Sequence, residues 1–179
     1  DGQPVAACVA LFNSQKNHKL LINAWQKVVE QDPHVLLLLA GDGPLVEKIK
    51  NLVVEKNLSA NVHFLGVVEP GWVYERSSFC VLASRDEGIP LVFLEAAAHK
   101  RPFIACDTGA NREFITPGWN GLLVQPDHEQ DLANAILELF RNPEKCTSLG
   151  KNAYETYQKI QIQTNCADSM SNLIKKLLN

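Results

Sequence analysis

Residues 79–96 read Phe-Cys-Val-Leu-Ala-Ser-Arg-Asp-Glu-Gly-Ile-Pro-Leu-Val-Phe-Leu-Glu-Ala: an unbroken apolar run to Ala83, a polar loop, and a helical composition from Leu91 onward. A strand that is apolar on both faces must be covered on both, which is the situation of a parallel sheet between helices. Comparable runs rich in Val, Leu, Ile and Phe recur at residues 5–12, 34–40, 62–65, 103–106 and 121–124. Helical periodicity fills the intervals. Over 18–31 the apolar positions Leu20, Leu21, Ala24, Trp25, Val28 and Val29 share one face, which makes Trp25 a core residue. Residues 45–56 repeat the pattern with Leu45, Ile49, Leu52 and Val53, preceded by a proline, Pro44, suited to a first helical turn. Further helices are predicted over 91–99, near 111–115, over 129–140, and in two segments, 146–158 and 166–178; the polar, weakly patterned 158–165 is expected to mark where the last helix leaves the sheet domain. Strand and helix in alternation predict α/β architecture: an open, doubly wound parallel sheet of Rossmann-like type, with right-handed crossovers, as a single domain over 1–179.

Composition agrees and excludes alternatives. The chain has 179 residues, 46% of them hydrophobic and 21% charged, with a formal net charge of −3. A chain of this length buries roughly 70% of its unfolded surface, which is enough for a real core. Dispersed, locally balanced basic residues argue against a nucleic-acid partner. The longest apolar run, residues 35–40, falls far short of the roughly 20 residues that cross a bilayer; a soluble protein is expected. Five cysteines, Cys8, Cys80, Cys106, Cys146 and Cys166, show no CxxC spacing and lie partly in strands, pointing to buried thiols in a reducing compartment. The single methionine is Met170 and the chain starts Asp1-Gly2, so a piece of something longer is expected.

Open parallel sheets bind ligands beyond the carboxyl ends of their strands. The first such loop, residues 13–17, has neither a Gly-x-Gly-x-x-Gly nor a Walker pattern, but it offers Lys16 just before a helix. After the strand at 79–83, Gly88 allows close approach of a ligand, Pro90 sets the first helical turn, and the amides of Gly88, Ile89 and Leu91 stand at the positive end of a helix dipole, where phosphate is favoured. Glu87 and Glu95 bracket that site. Carboxylates beside phosphate suit the hydroxyls of a sugar or ribose, and together these features describe a sugar nucleotide. Glu87 is equally placed to cap the helix, and Glu95 to sit solvated on its surface.

Around this pair lie Lys16-Asn17, Ala40-Gly41-Asp42-Gly43-Pro44, Val62-His63-Phe64-Leu65-Gly66, Pro102, Asp107-Thr108-Gly109 through Glu113, and Asn120-Gly121-Leu122-Leu123-Val124. In this order the blocks resemble the C-terminal, donor-binding domain of retaining glycosyltransferases of the GT-B fold, in the large family four, with Glu87 and Glu95 as its paired glutamates. The resemblance implies one half of a GT-B enzyme that transfers a sugar from a nucleoside-diphosphate sugar, such as a UDP- or GDP-sugar, with retention and without a metal or other cofactor. It implies Lys16 on the diphosphate and Glu87 on the transferred sugar as catalytic groups, and Glu95 on the ribose. The amides at Gly88 and Ile89, with Pro90 and Leu91 in the same turn, would meet phosphate or sugar; Leu65 and Gly66 would border the base, and Gly109 would let its loop approach. The implied partners are the donor, the protein's own N-terminal acceptor domain, and an acceptor glycan or glycolipid, in the cytoplasm or at the inner face of the membrane, where the absent half would make any peripheral contact. Without that half, this chain is expected to bind donor weakly and to transfer nothing.

Three positions depart from the family's pattern. Ala10-Leu11-Phe12 stand where it has Gly-Arg-Leu, so a phosphate-gripping arginine is replaced by Leu11, and Arg85 or Arg112 would have to reach in. Lys100 replaces a helix-ending glycine and must adopt a left-handed conformation or change the helix end. Ala83 replaces a proline. A donor-binding scaffold that has lost catalysis and a sugar-nucleotide epimerase of the same fold are the competing readings. His18, His34, His63, His99 and His128 show no ligand spacing and read as surface or strand-end residues; Trp72 and Trp119 read as loop aromatics.

Overall fold

Each of the six apolar runs forms a strand, and all are short: β1 (Val5–Val9), β2 (Leu36–Ala40) and β3 (Val62–Gly66) have five residues, and β4 (Phe79–Leu82), β5 (Phe103–Cys106) and β6 (Gly121–Val124) have four. The computed structural model describes residues 3–86 and 91–177, with side chains as far as residue 163. All strands pair in parallel in the order β3-β2-β1-β4-β5-β6. The connecting helices are α1 (His18–Gln31), α2 (Val46–Glu55), α3 (Pro70–Glu75), α4 (Leu91–Ala98) and α5 (Asn111–Phe114), with α6 (Glu129–Arg141) and α7 (Pro143–Leu177) following β6. Helices α1, α2 and α6 pack together, and α3, α4 and α7 form a second group. The strands are accordingly buried on both faces: Ala6, Ala7 and Cys8 of β1 and all of β4 and β5 are inaccessible to water. Trp25 of α1 is fully buried, edge-on to Phe140 of α6, which also packs against Phe79.

The strand order reverses between β1 and β4. Here β1 pairs with β2 over its full length but with β4 only at Ala6–Phe79 and Ala7–Cys80. The registered pairing of the two strands stops there, and the loops that follow them flank the crevice at the topological switch point, where such sheets place ligands.

Several boundaries differ from the sequence reading for physical reasons. Strand β1 ends at Val9 because Ala10-Leu11-Phe12 turns to meet the loop after β2: the Ala10 amide donates to Ala40 O at 3.0 Å and the Phe12 amide to Asp42 O at 2.9 Å. Only glycine permits this approach. A Cβ at Gly41 would lie 2.1 Å from Ala10 O, and one at Gly43 would lie 2.6 Å from Phe12 O. Helix α3 was not expected, since Pro70-Gly71-Trp72 reads as a turn; Pro70 in fact occupies its start and the Glu69 side chain accepts from the Trp72 amide, capping it. Trp72 therefore belongs to a helix, not a loop.

The last helix is continuous from 143 to 177 rather than two segments parted at 158–165. Its polar middle contains neither glycine nor proline and consists largely of good helix formers. Lys100 does take the left-handed conformation, at φ 57. The Arg101 amide bonds Ala96 O and the Lys100 amide bonds Ala97 O, a Schellman end to α4, while the Lys100 ammonium lies over the Tyr154 ring.

Candidate functional site

The loops after β1 and β4 face each other across the switch-point crevice and are tied together. The Arg85 amide donates to Gln15 O at 2.9 Å, and Gln15 Nε2 donates to Asp86 O at 2.9 Å. Lys16 follows directly, its amide bonded to Asn13 Oδ1 at 3.0 Å, and so stands at the mouth of the crevice just ahead of α1. Asn17, the residue before that helix, is left-handed (φ 48); instead of capping α1, its side chain reaches across to Asp127 Oδ1 at 3.0 Å. Asp127, beyond β6 and also left-handed at φ 54, takes a second contact at 3.3 Å from Arg85 Nε. Loops from three strands thus meet on one carboxylate.

His18, the first residue of α1, is buried, contrary to the surface position expected of it. Its ring stacks on Phe12 at 4.0 Å between centroids, and Nε2 lies 3.9 Å from Cys8 Sγ. Burial, with the Lys16 cation adding, pushes its imidazole down to about 4, so the ring is neutral at ordinary pH. Its Nδ1, and the Oγ of Ser84 at the end of β4, are buried without a hydrogen-bond partner among the described residues. Leu11, at the position of the family arginine, is 62% exposed on the same edge. Arg112 does not compensate for it, because its guanidinium is engaged by both oxygens of Asp107, whose carboxyl it holds below the usual range.

Glu87, Gly88, Ile89 and Pro90 lie outside the described residues. Leu91 opens α4 and is exposed. Glu95 lies one helical turn further on, and its Oε2 accepts a hydrogen bond at 2.8 Å from the hydroxyl of Tyr74, itself buried on α3. Burial above all, with Cys80 and Glu95 adding, raises the Tyr74 phenol well above its ordinary range, so it remains a donor. Leu65 and Gly66 close β3 and, with Gly41, Asp42, Gly43 and Val67, line a cleft of about 560 Å³ on the carboxyl edge of the sheet. Gly109 turns the loop after β5 with φ 51.

Lys16, Leu65, Gly66 and Gly109 therefore all belong to loops or strand ends on one edge. His18, Tyr74 and Asp127 were not recognised from sequence. A lone histidine has no ligand spacing, and the partners of Asp127 lie 110 and 42 residues away. Among the described residues no group of His, Cys, Asp and Glu could hold a metal ion, and no helix is long and apolar enough to cross a membrane. Cys8, Cys80, Cys106 and Cys146 are buried thiols, and burial pushes those of Cys106 and Cys146 up to about 11.

Comparison with known proteins agrees with this arrangement. The family model described as Glycosyl transferases group 1 matches residues 1–156. An uncharacterized glycosyltransferase of Methanocaldococcus jannaschii is 37% identical over 154 residues, covering 84% of this chain and 42% of the relative. The poly(ribitol-phosphate) alpha-N-acetylglucosaminyltransferase of Staphylococcus aureus is 32% identical, covering 78% of this chain and 29% of the relative. Among solved structures, a variant of S. aureus TarM in complex with fondaparinux, alpha-GlcNAc-glycerol and UDP superposes with a TM-score of 0.83 at 30% identity, over 86% of this chain and 32% of that one. The C-terminal domain of a group 1 glycosyl transferase from Francisella tularensis, 23% identical, shares the fold with a TM-score of 0.81, over 88% of this chain and 86% of that one. The chain spans less than half the length of the curated relatives it matches. The family match runs through every strand and through the loops that meet at the crevice, and the chain belongs to the glycosyl transferases group 1 family.

Proposed function

We propose that this chain is the donor-binding half of a retaining, metal-independent glycosyltransferase, and that it holds a nucleoside-diphosphate sugar in the crevice between β1 and β4. The observation that carries the reading is the junction of the β1 and β4 loops, which sets Lys16 at the topological switch point on the edge that also carries the 65–67 cleft. A related structure that contains UDP supports a donor of that class. Relatives named as glycosyltransferases favour transfer over epimerisation.

In this mechanism negative charge grows on the departing nucleoside diphosphate. The Lys16 ammonium meets it, already oriented before the bond breaks, and removing such a group costs about 3 kcal/mol of barrier. Glu87 orients the sugar, an entropic contribution; Glu95 receives the ribose hydroxyls, and the Tyr74 hydroxyl fixes its carboxylate. The acceptor, a glycan or glycolipid, arrives on a second domain across the cleft. The reaction belongs to the cytoplasm, where nucleotide sugars are available, or to the inner face of a membrane.

Calorimetry with UDP, GDP and ADP tests the reading. At least one is expected to bind, with affinity reduced about tenfold or more in Lys16→Ala and in Glu95→Ala. Absence of binding by all three would leave a scaffold that shares the fold and not the chemistry. Efficient sugar transfer by this chain alone would contradict the requirement for a second domain.

A further inference from the structure

The arginines around the sheet differ in how firmly they are held. Arg112 is fixed through Nε and Nη2 to the two oxygens of Asp107. Arg101 lies at the opposite edge, donating to the backbone oxygens of Tyr74 and Glu75. Arg85 differs from both. Its backbone is fixed in the crevice by the bond to Gln15 O, one residue from Lys16, while its guanidinium makes one contact among the described residues, through Nε to Asp127 Oδ1 at 3.3 Å. Both side chains of that pair are more than half exposed. An exposed ion pair of this kind is worth little and is readily exchanged for a better anion. A planar guanidinium offers phosphate two parallel donors, which an ammonium cannot.

We infer that Arg85 is the second cation of the diphosphate subsite, parked on Asp127 while the crevice is empty and turned onto phosphate when a nucleoside diphosphate enters, with Asp127 as the competing anion that sets the affinity. The inference rests on the donor-binding reading above and adds a residue to it. It also accounts for Leu11: a chain with an apolar side chain at the end of the β1 loop still presents two cations to a diphosphate, one from each side of the crevice. Asp127 is well placed to compete, because the bond from Asn17 holds its carboxylate against the start of α1 and its left-handed backbone fixes the turn that presents it.

The test measures binding of UDP, GDP and ADP, and of the matching unphosphorylated nucleoside, to the wild-type chain, Arg85→Ala, Arg85→Lys and Asp127→Asn. Asparagine tolerates the left-handed backbone at 127 and still accepts from Asn17, so that variant removes charge without removing the turn. For the diphosphate that binds best, Arg85→Ala is expected to lower affinity about tenfold, Arg85→Lys to recover part of the loss, and Asp127→Asn to raise affinity about threefold, with nucleoside affinity and thermal midpoints unchanged. Unchanged diphosphate affinity in Arg85→Ala overturns the inference while leaving donor binding intact. Equal losses for diphosphate and nucleoside also overturn it, since they identify Arg85 as a structural tie. If the wild-type chain binds no diphosphate, the donor-binding reading itself fails, and the inference with it.

Discussion

The two edges of the sheet satisfy their buried polar groups to different degrees. At the amino edge, Asn61 donates through Nδ2 to Pro33 O and Val35 O, while its backbone carbonyl accepts from Trp25 Nε1 and the Leu37 amide. Asn120 accepts from the Thr116 amide and donates to Phe114 O and Thr156 Oγ1. These asparagines are the ties that hold strand starts to helices, and they are bonded through both ends of the amide or through its carbonyl neighbour. At the carboxyl edge, His18 Nδ1 and Ser84 Oγ are buried with no partner among the described residues, and the side chains of Asn17 and Asp127 hold one another. Since orphaned buried groups cost free energy, these two polar groups of the carboxyl edge are held in a costlier state than the bonded asparagines of the amino edge.

The contrast can be broken by substitution. The largest effect is expected from Asn61→Ala, which takes the donor from the buried Val35 O and the part-buried Pro33 O and should lower stability by about 2 kcal/mol in urea unfolding; a loss no greater than that of Ser84→Ala would end the distinction. Next comes pH. Because the His18 pKa is lowered in the folded state to about 4, the unfolded chain takes up the proton first as pH falls below its ordinary 6.5, so the folded state loses stability between about pH 6.5 and 4 and nothing further below that. The loss from this ring should be about 2 kcal/mol by pH 5 and should disappear in His18→Leu, compared by unfolding at pH 8 and pH 5. The smallest effect is expected from Ser84→Ala, which removes a hydroxyl with no hydrogen-bond partner among the described residues and should stay within about 0.5 kcal/mol of wild type or exceed it in stability.

Most of the scaffold was legible because parallel strands advertise themselves as unbroken apolar runs and α1, α2 and α6 as apolar faces at helical spacing. The parts that were not legible lacked such a local signature. Helix α3 is only six residues long and begins with a proline and a glycine. Residues 158–165 carry no apolar stripe, so only the absence of a breaker spoke for helix there. At the site, Lys16 and Glu95 could be picked out by their place in ordered blocks, whereas His18, Tyr74 and Asp127 act through contacts that exist only once distant segments have met: Phe12 stacks on the first, Glu95 accepts from the second, and Arg85 and Asn17 converge on the third.

The central position of the first strand has a consequence for synthesis. A chain emerging from its amino end can assemble β3, β2 and β1 as soon as residue 66 is available, but the remaining side of β1 stays without a neighbour until Phe79 and Cys80 arrive. During that interval the nascent protein presents an open apolar strand edge to the cell, which makes β1 the segment most in need of shielding while the ribosome is still at work.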